Sequence, residues 1–230
     1  QYAHTALILG DDGAPLSKRN GSRSIRELRE AGYFALAIVN LMARLGHHYE
    51  SDALMDFQSL KAGFQLSSLG RSPARFDITH LHHWQGLVLR QVTDAELDDW
   101  LHPETRALVP SEAWHSFREL VRSNCEFPKD AHVWAQILFT DEPFCSPAVF
   151  DADESYFRAA LAAHQDHPRE YAHFIARLKD VSGAKGKALF MPLRMALTGR
   201  HDGPDLAQLY LLLPADRLRQ RLMAPIALKD

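Results

Sequence analysis

A mainly α chain is expected, opening on a short β-hairpin and a basic loop. Three observations carry this reading. Ser24-Ile25-Arg26-Glu27 and Thr93-Asp94-Ala95-Glu96 are capping boxes, in which a hydroxyl and a carboxylate satisfy each other's free backbone N–H groups at a helix start. Apolar residues recur at helical spacing through most of the chain. Prolines from Pro103 to Pro214 fall mostly at helix starts or just past helix ends.

The exception to helix is Leu7 to Gly21, LILGDDGAPLSKRNG. Asp12-Gly13 between extended runs is a hairpin signal, since both turn positions tolerate positive φ. A small loop carrying Leu16-Ser17-Lys18-Arg19 follows, and Asn20 and Gly21 give it freedom to move. Lys as a compact charge and Arg as a fork of donors suit phosphate oxygens. A solvated basic turn is the plainer reading of four residues.

The elements then follow in order. Ser24 opens a helix that Gly32 ends, and Phe34, Ala37, Ile38, Leu41, Met42 and Leu45 form a buried stripe closed by Gly46. Ser51 or Asp52 caps a helix ending by Gly63, and Leu66 to Pro73 reads as a loop. Asp77 or Thr79 caps a helix through Arg90, on which His80 and His83 share a face. Two histidines without a nearby carboxylate or Cys make a poor metal site, and His47-His48 make a weaker one. Pro110-Ser111-Glu112 opens a helix with Trp114, Phe117, Leu120 and Val121. Asp130 caps one with Val133, Trp134, Ile137 and Leu138, and Phe139 to Pro147 is a Pro-rich connection. Asp153 caps a helix through Ala163, and Pro168 starts another through Val181. Ser182-Gly183-Ala184-Lys185-Gly186-Lys187 is a flexible basic loop, and Met191 to Leu197 a short helix with Arg194, ended by Gly199. Gly203-Pro204 starts the helical tail with Arg217, Arg219 and Arg221. Trp100, Trp114 and Trp134 lie in apolar stripes and are read as core rather than as platforms for bases.

Composition narrows the classes. At 230 residues and 46% hydrophobic, the chain suits one or two globular domains. No apolar run approaches the ~20 residues of a membrane span, so no membrane role is expected. No secretory pattern is present, and Cys125 and Cys145 lack zinc spacing, so two free thiols in a reducing cytoplasm are expected. A net charge of -3 does not announce nucleic acid, but the distribution is uneven. Lys18, Arg19, Arg23, Arg26 and Arg29 face only Glu27, and a second basic stretch runs from Arg177 to Arg200, while Asp94 to Glu154 is acidic. A polyanion would meet both basic stretches and be repelled from the middle.

The run GDDGAPLSKRNGSRSIRELREAGYFALAIVNLMARLG resembles the KMSKS-loop region of bacterial glutamyl-tRNA synthetases, class I ligases. FDITHLHHWQ, LVLRQVTDAEL and, near the other end, KGKALFMPLRMALTGRHDGPDL extend the resemblance from about Leu7 to Leu222. One position departs: Pro15 stands where the motif usually begins with Lys, so a catalytic role rests on Lys18.

The resemblance implies a fold of KMSKS-type loop, stem-contact helices and an all-helical anticodon-binding domain, divided as residues 1–92 and 93–230. It implies ATP, with Mg²⁺ in the complete enzyme, bound at Leu16, Ser17, Lys18 and Arg19, with Lys18 catalytic. Partners would be tRNA(Glu), with Lys185, Lys187 and Arg194 as contacts, and glutamate; a monomer without zinc in this part is expected. No G-x-G-x-x-G, Walker loop or His-x-Gly-His occurs in the chain. The resemblance therefore implies a Rossmann-type domain before Gln1, and a fragment that binds tRNA but is inactive alone. The alternative is a stand-alone tRNA-binding module without catalysis.

Overall fold

A computed structural model of the chain describes residues 5–10, 12–140 and 154–227. The chain divides into two compact units, residues 1–100 with 126–128, and residues 101–125 with 129–230. The first holds β1 (Ile8–Leu9), α1 (Ile25–Glu30), α2 (Ala35–Arg44), α3 (Phe57–Gly63), β2 (Ala74–Arg75), α4 (Ile78–Leu89) and α5 (Asp94–Trp100). The second holds α6 (Pro103–Leu108), α7 (Trp114–Asn124) and all but the first residue of α8 (Pro128–Phe139). It continues with α9 (Glu154–Asp166), α10 (Tyr171–Ser182), α11 (Lys187–Thr198), α12 (Leu206–Leu212) and α13 (Ala215–Ala227).

The expected hairpin is reduced to a turn. Gly10 N–H donates to Ala14 (2.9 Å) and Leu16 N–H to Ile8 (2.8 Å), around Gly13 at φ +76°. Leu9 and Pro15 form an isolated antiparallel bridge. Pro15 has no N–H, so no ladder extends from it. The regular partner of β1 is instead β2, in parallel, with Ile8 opposite Ala74 and Leu9 opposite Arg75. Ala74 N–H donates to Leu7 and Phe76 N–H to Leu9, on the edge of β1 away from Leu16.

Around this strand pair the first unit is helical. Ser24 caps α1 as its sequence requires: Glu27 N–H donates to the Ser24 hydroxyl (3.2 Å) and Ser24 N–H to the Glu27 carboxylate (2.6 Å). Thr93 and Glu96 repeat the exchange at α5. The core gathers Leu28, Ala37, Ile38, Leu41, Leu81 and Trp84. Met42, expected in the same stripe, is 55% exposed, so the buried face of α2 is narrower than predicted.

Two buried amides organise the loops. Gln85 accepts from Phe34 N–H and donates to the Gly32 and Glu126 carbonyls. Asn40 donates to the Leu36 and Met55 carbonyls and accepts from Met55 N–H and Arg44. This holds the chain out of helix up to Met55, and α3 is capped by Asp56, not by Ser51 or Asp52. Asp77 caps α4, with Thr79 N–H as its donor. Trp100 stacks on Phe34 at 5.2 Å and donates to the Gly32 carbonyl, which is why α5 counts with the first unit.

In the second unit α9 packs on α10 and α13, and α11 on α13. Phe157, Phe174, Leu178, Leu193, Tyr210 and Leu222 are among its buried side chains. Several starts differ from expectation. Pro128 opens α8, placing Asp130 within the first turn, and Val133 is 40% exposed. Asp153, Pro143, Cys145 and Pro147 lie outside the described residues. The α9 helix runs past Ala163 to Asp166, and α10 begins at Tyr171 rather than Pro168. The α11 helix opens at Lys187 rather than Met191 and contains Pro192, while the hydroxyl of Tyr156 donates to the Leu189 carbonyl. In the tail, Arg221 donates to the Leu197 and Ile137 carbonyls and Arg217 to that of Leu138 (3.2 Å). Both side chains satisfy carbonyls near the C-terminal ends of α8 and α11, where cations also meet the negative end of the helix dipole.

His164 is buried, with Nδ1 2.7 Å from the Tyr210 hydroxyl. Tyr210 donates to the His167 carbonyl at 3.3 Å, so His164 supplies the proton between them and acts as a neutral Nδ1–H donor. Burial, and then the charges of Arg169 and Arg219, push its pKa below the ordinary 6.5. The unfolded chain therefore takes up a proton at His164 before the folded chain does. This contribution to stability is complete above about pH 6.5 and is lost as pH falls through the folded value. Thermal unfolding should show the gap between the parent chain and His164→Gln narrowing from pH 7.5 to pH 5. A constant gap would exclude this linkage.

Candidate nucleic-acid interface

The basic loop lies between the β1 turn and α1. Leu16 is half-buried and tied to Ile8, whereas Ser17, Lys18 and Arg19 are exposed. Lys18–Asn20 forms one turn of 3₁₀ helix, closed by Ser22 N–H donating to the Ser17 carbonyl at 2.9 Å. Glu27, the acid of this stretch, is committed to the α1 cap. Hydrogen bonds from the Ser24 backbone and then its side chain hold its carboxyl below the ordinary range, with Lys18 and Arg23 adding smaller effects.

A second feature of the first unit is a cavity of about 420 Å³ lined by Arg44, Arg75, His80, His83 and Trp84 among others. Arg44 lies over the Trp84 ring at 4.4 Å, donates to Asn40 and to the Ser51 and Ala53 carbonyls, and has its pKa lowered by burial. His80 and His83 share this cavity, as their spacing predicts. Among the described residues no third His, Cys, Asp or Glu donor joins them within ligating reach. His82 faces Tyr33 and Phe127 instead, and His47 is buried, accepting at Nε2 from Gln65 N–H.

In the second unit Lys185 and Lys187 are both exposed, on the turn from α10 to α11. Gly183 at φ +68° and Gly186 at φ +53° make that turn possible, because an L side chain resists the left-handed region. Lys187 is the first residue of α11, and Gly186 supplies no side-chain cap. Two cations therefore stand at the positive end of a helix, an arrangement that favours an anion. Arg194 differs: it is half-buried and donates to the Pro204 carbonyl at 2.9 Å.

That bond steadies the turn carrying Gly203, which abuts Trp134. Trp134, Arg200, Asp202, Gly203, Asn124 and Asp130 line a cavity of about 240 Å³. The Arg200 guanidinium lies 5.7 Å from the Trp134 ring centre and 3.3 Å from the Asp202 carboxylate. Trp114 and Trp134 are buried as expected, but Trp134 also forms a wall of this cavity. Sequence reading missed Arg200 and Asp202 because only the fold brings them to Trp134. Cys125 is buried and its pKa is raised by that burial, so it is an inert thiol. Among the described residues no helix is long and apolar enough to cross a membrane.

Residues 95–226 match the family model described as anticodon binding domain, and residues 1–83 match the one for the catalytic domain of class I tRNA synthetases (E and Q). These define the class: an anticodon binding domain preceded by part of a class I tRNA synthetase (E and Q) catalytic domain. Glutamate–tRNA ligase 1 of Methylococcus capsulatus is 56% identical over 96% of the chain, and glutamate–tRNA ligase 2 of Nitrosococcus oceani 47% identical over 96%. The match covers 48% of each relative, so the chain spans about half their length. A crystal structure of the glutamate–tRNA synthetase of Elizabethkingia anophelis shares the fold, with a TM-score of 0.78 at 22% identity, over 98% of this chain and 50% of that one. The chain belongs to the glutamate–tRNA ligase family.

Proposed function

We propose that this chain is the C-terminal, tRNA-binding part of a cytoplasmic, monomeric glutamate–tRNA ligase. The complete enzyme activates glutamate with ATP and Mg²⁺ and transfers it to tRNA(Glu). Residues 1–92 supply the ATP loop and stem contacts, and residues 93–230 bind the anticodon arm. Leu16, Ser17, Lys18 and Arg19 form the ATP loop, with Lys18 meeting the negative charge that develops on the departing pyrophosphate. Lys185 and Lys187 bind the tRNA backbone, and Arg194 holds the neighbouring turn in position. The Trp134 cavity offers a π-face, a guanidinium and a carboxylate, a set suited to an unstacked base.

The observation that carries the tRNA reading is the uncapped start of α11 with Lys185 and Lys187 exposed beside it. Fluorescence anisotropy with a tRNA(Glu) transcript across a salt series tests it. Lys185→Ala with Lys187→Ala should weaken binding and make the dependence of log K on log salt shallower by ~1 per lysine. An unchanged slope would remove both lysines from the interface.

A further inference from the structure

The turn joining α9 to α10 has no part in the proposed reading, yet it gathers metal-binding side chains. His167, Glu170 and His173 each place one ligating atom within 4.8 Å of the other two. His173 Nδ1 is 2.6 Å from a Glu170 carboxylate oxygen, and the His167 and His173 rings lie 5.3 Å apart, tilted by 30°. Glu170 and His173 are exposed and His167 half-buried, so an ion reaches them without opening the core.

The backbone under this cluster is fixed by contacts outside it. The His167 carbonyl accepts from Tyr210, itself fully buried and stacked on Phe174 at 4.7 Å. Arg169 adopts φ +67°, a conformation an L side chain rarely takes, and its guanidinium donates to the Leu211 carbonyl at 2.6 Å. That contact directs the Arg169 cation to the end of α12. Arg177, the next cation along α10, is paired with Asp166 at 3.3 Å. The three donors therefore sit on a pre-set turn, with both neighbouring cations engaged elsewhere.

We propose that His167, Glu170 and His173 form a three-ligand site for a divalent transition metal, best matched by Zn²⁺. Two imidazole nitrogens and a carboxylate oxygen are a zinc donor set, leaving the fourth tetrahedral position to water. Bonds of 2.0–2.1 Å place tetrahedral donors about 3.3 Å apart. The Glu170–His173 contact opens by less than ~1 Å, and no pair needs to close by more than ~1.5 Å, to reach that spacing. Both changes are side-chain rotations about the fixed turn. The ion takes the place of the His173 Nδ1–Glu170 hydrogen bond, with the imidazole proton on Nε2, and ties the end of α9 to the first turn of α10. The expectation of no zinc in this part follows the family resemblance, and the histidines weighed from the sequence are His80, His83, His47 and His48, not these three, which only the turn between two helices brings together.

The test is calorimetric titration of the 230-residue chain with ZnCl₂, beside His173→Ala, Glu170→Gln and, as a control on α7, His115→Ala. One zinc per chain is expected. Loss of either ligand should weaken it by more than ~10-fold, the lower end of what loss of even an outer-shell partner costs. His115→Ala should bind like the parent, and far-UV circular dichroism should match in all four. A Co²⁺ form should show d–d absorption without a thiolate charge-transfer band. No uptake, equal uptake by the ligand variants, or a thiolate band would each overturn the site.

Discussion

Lys18→Ala, placed in the complete ligase, is expected to slow glutamate activation by ~10²-fold or more, the scale seen when one stabiliser of developing charge is removed. Carboxylate attack on the α-phosphate of ATP moves negative charge onto the leaving pyrophosphate. A cation placed to meet that charge lowers the barrier more than it strengthens ground-state binding. Lys18 suits the task because it is exposed on a short, closed turn between two anchored elements. Pro15, in place of a second lysine, leaves Lys18 and Arg19 as the cations of the loop. ATP–pyrophosphate exchange reads the step directly. The affinity of the variant for tRNA should stay within a factor of a few, since the proposed backbone contacts are Lys185 and Lys187. A near-normal exchange rate would remove Lys18 from the chemistry.

Gly203→Ala is expected to destabilise the second unit by about 2–5 kcal/mol, the sum of strained backbone and overpacking. Gly203 has φ +128°, and a Cβ there would lie 2.4 Å from Cη2 of Trp134. The indole is itself buried, so it must shift within the packed interior for a methyl to fit. Gly183→Ala is the matched control: its φ is +68° and its Cβ would meet nothing within 4 Å. It should cost about 1 kcal/mol from backbone strain alone. Urea unfolding separates the two, and equal stabilities would contradict a close contact between Gly203 and Trp134.

Local signals were the legible ones. The Ser24 and Thr93 boxes name their own partners three residues on, and both form. Gly183 and Gly199 end helices in the left-handed conformation that glycine tolerates. Whatever depended on distant residues was not legible. The parallel pairing of Ile8–Leu9 with Ala74–Arg75 involves two-residue strands, too short for any periodicity to show. The cap of α3 moved to Asp56 because Asn40, on another helix, claims the backbone of Met55. Pro192 sits inside α11 although a proline there usually marks a start. In the candidate site, Lys18 and Lys187 stood out as charges, but their roles came from the family resemblance. The Trp134 cavity needed the fold itself.

The most direct test is anisotropy binding of the 230-residue chain to a tRNA(Glu) transcript beside an anticodon-substituted one, at low and moderate salt. Preference for the native anticodon that survives at moderate salt is the predicted result, because residues 93–230 are assigned to the anticodon arm. Equal affinity for both transcripts, or no binding to either, would contradict that assignment.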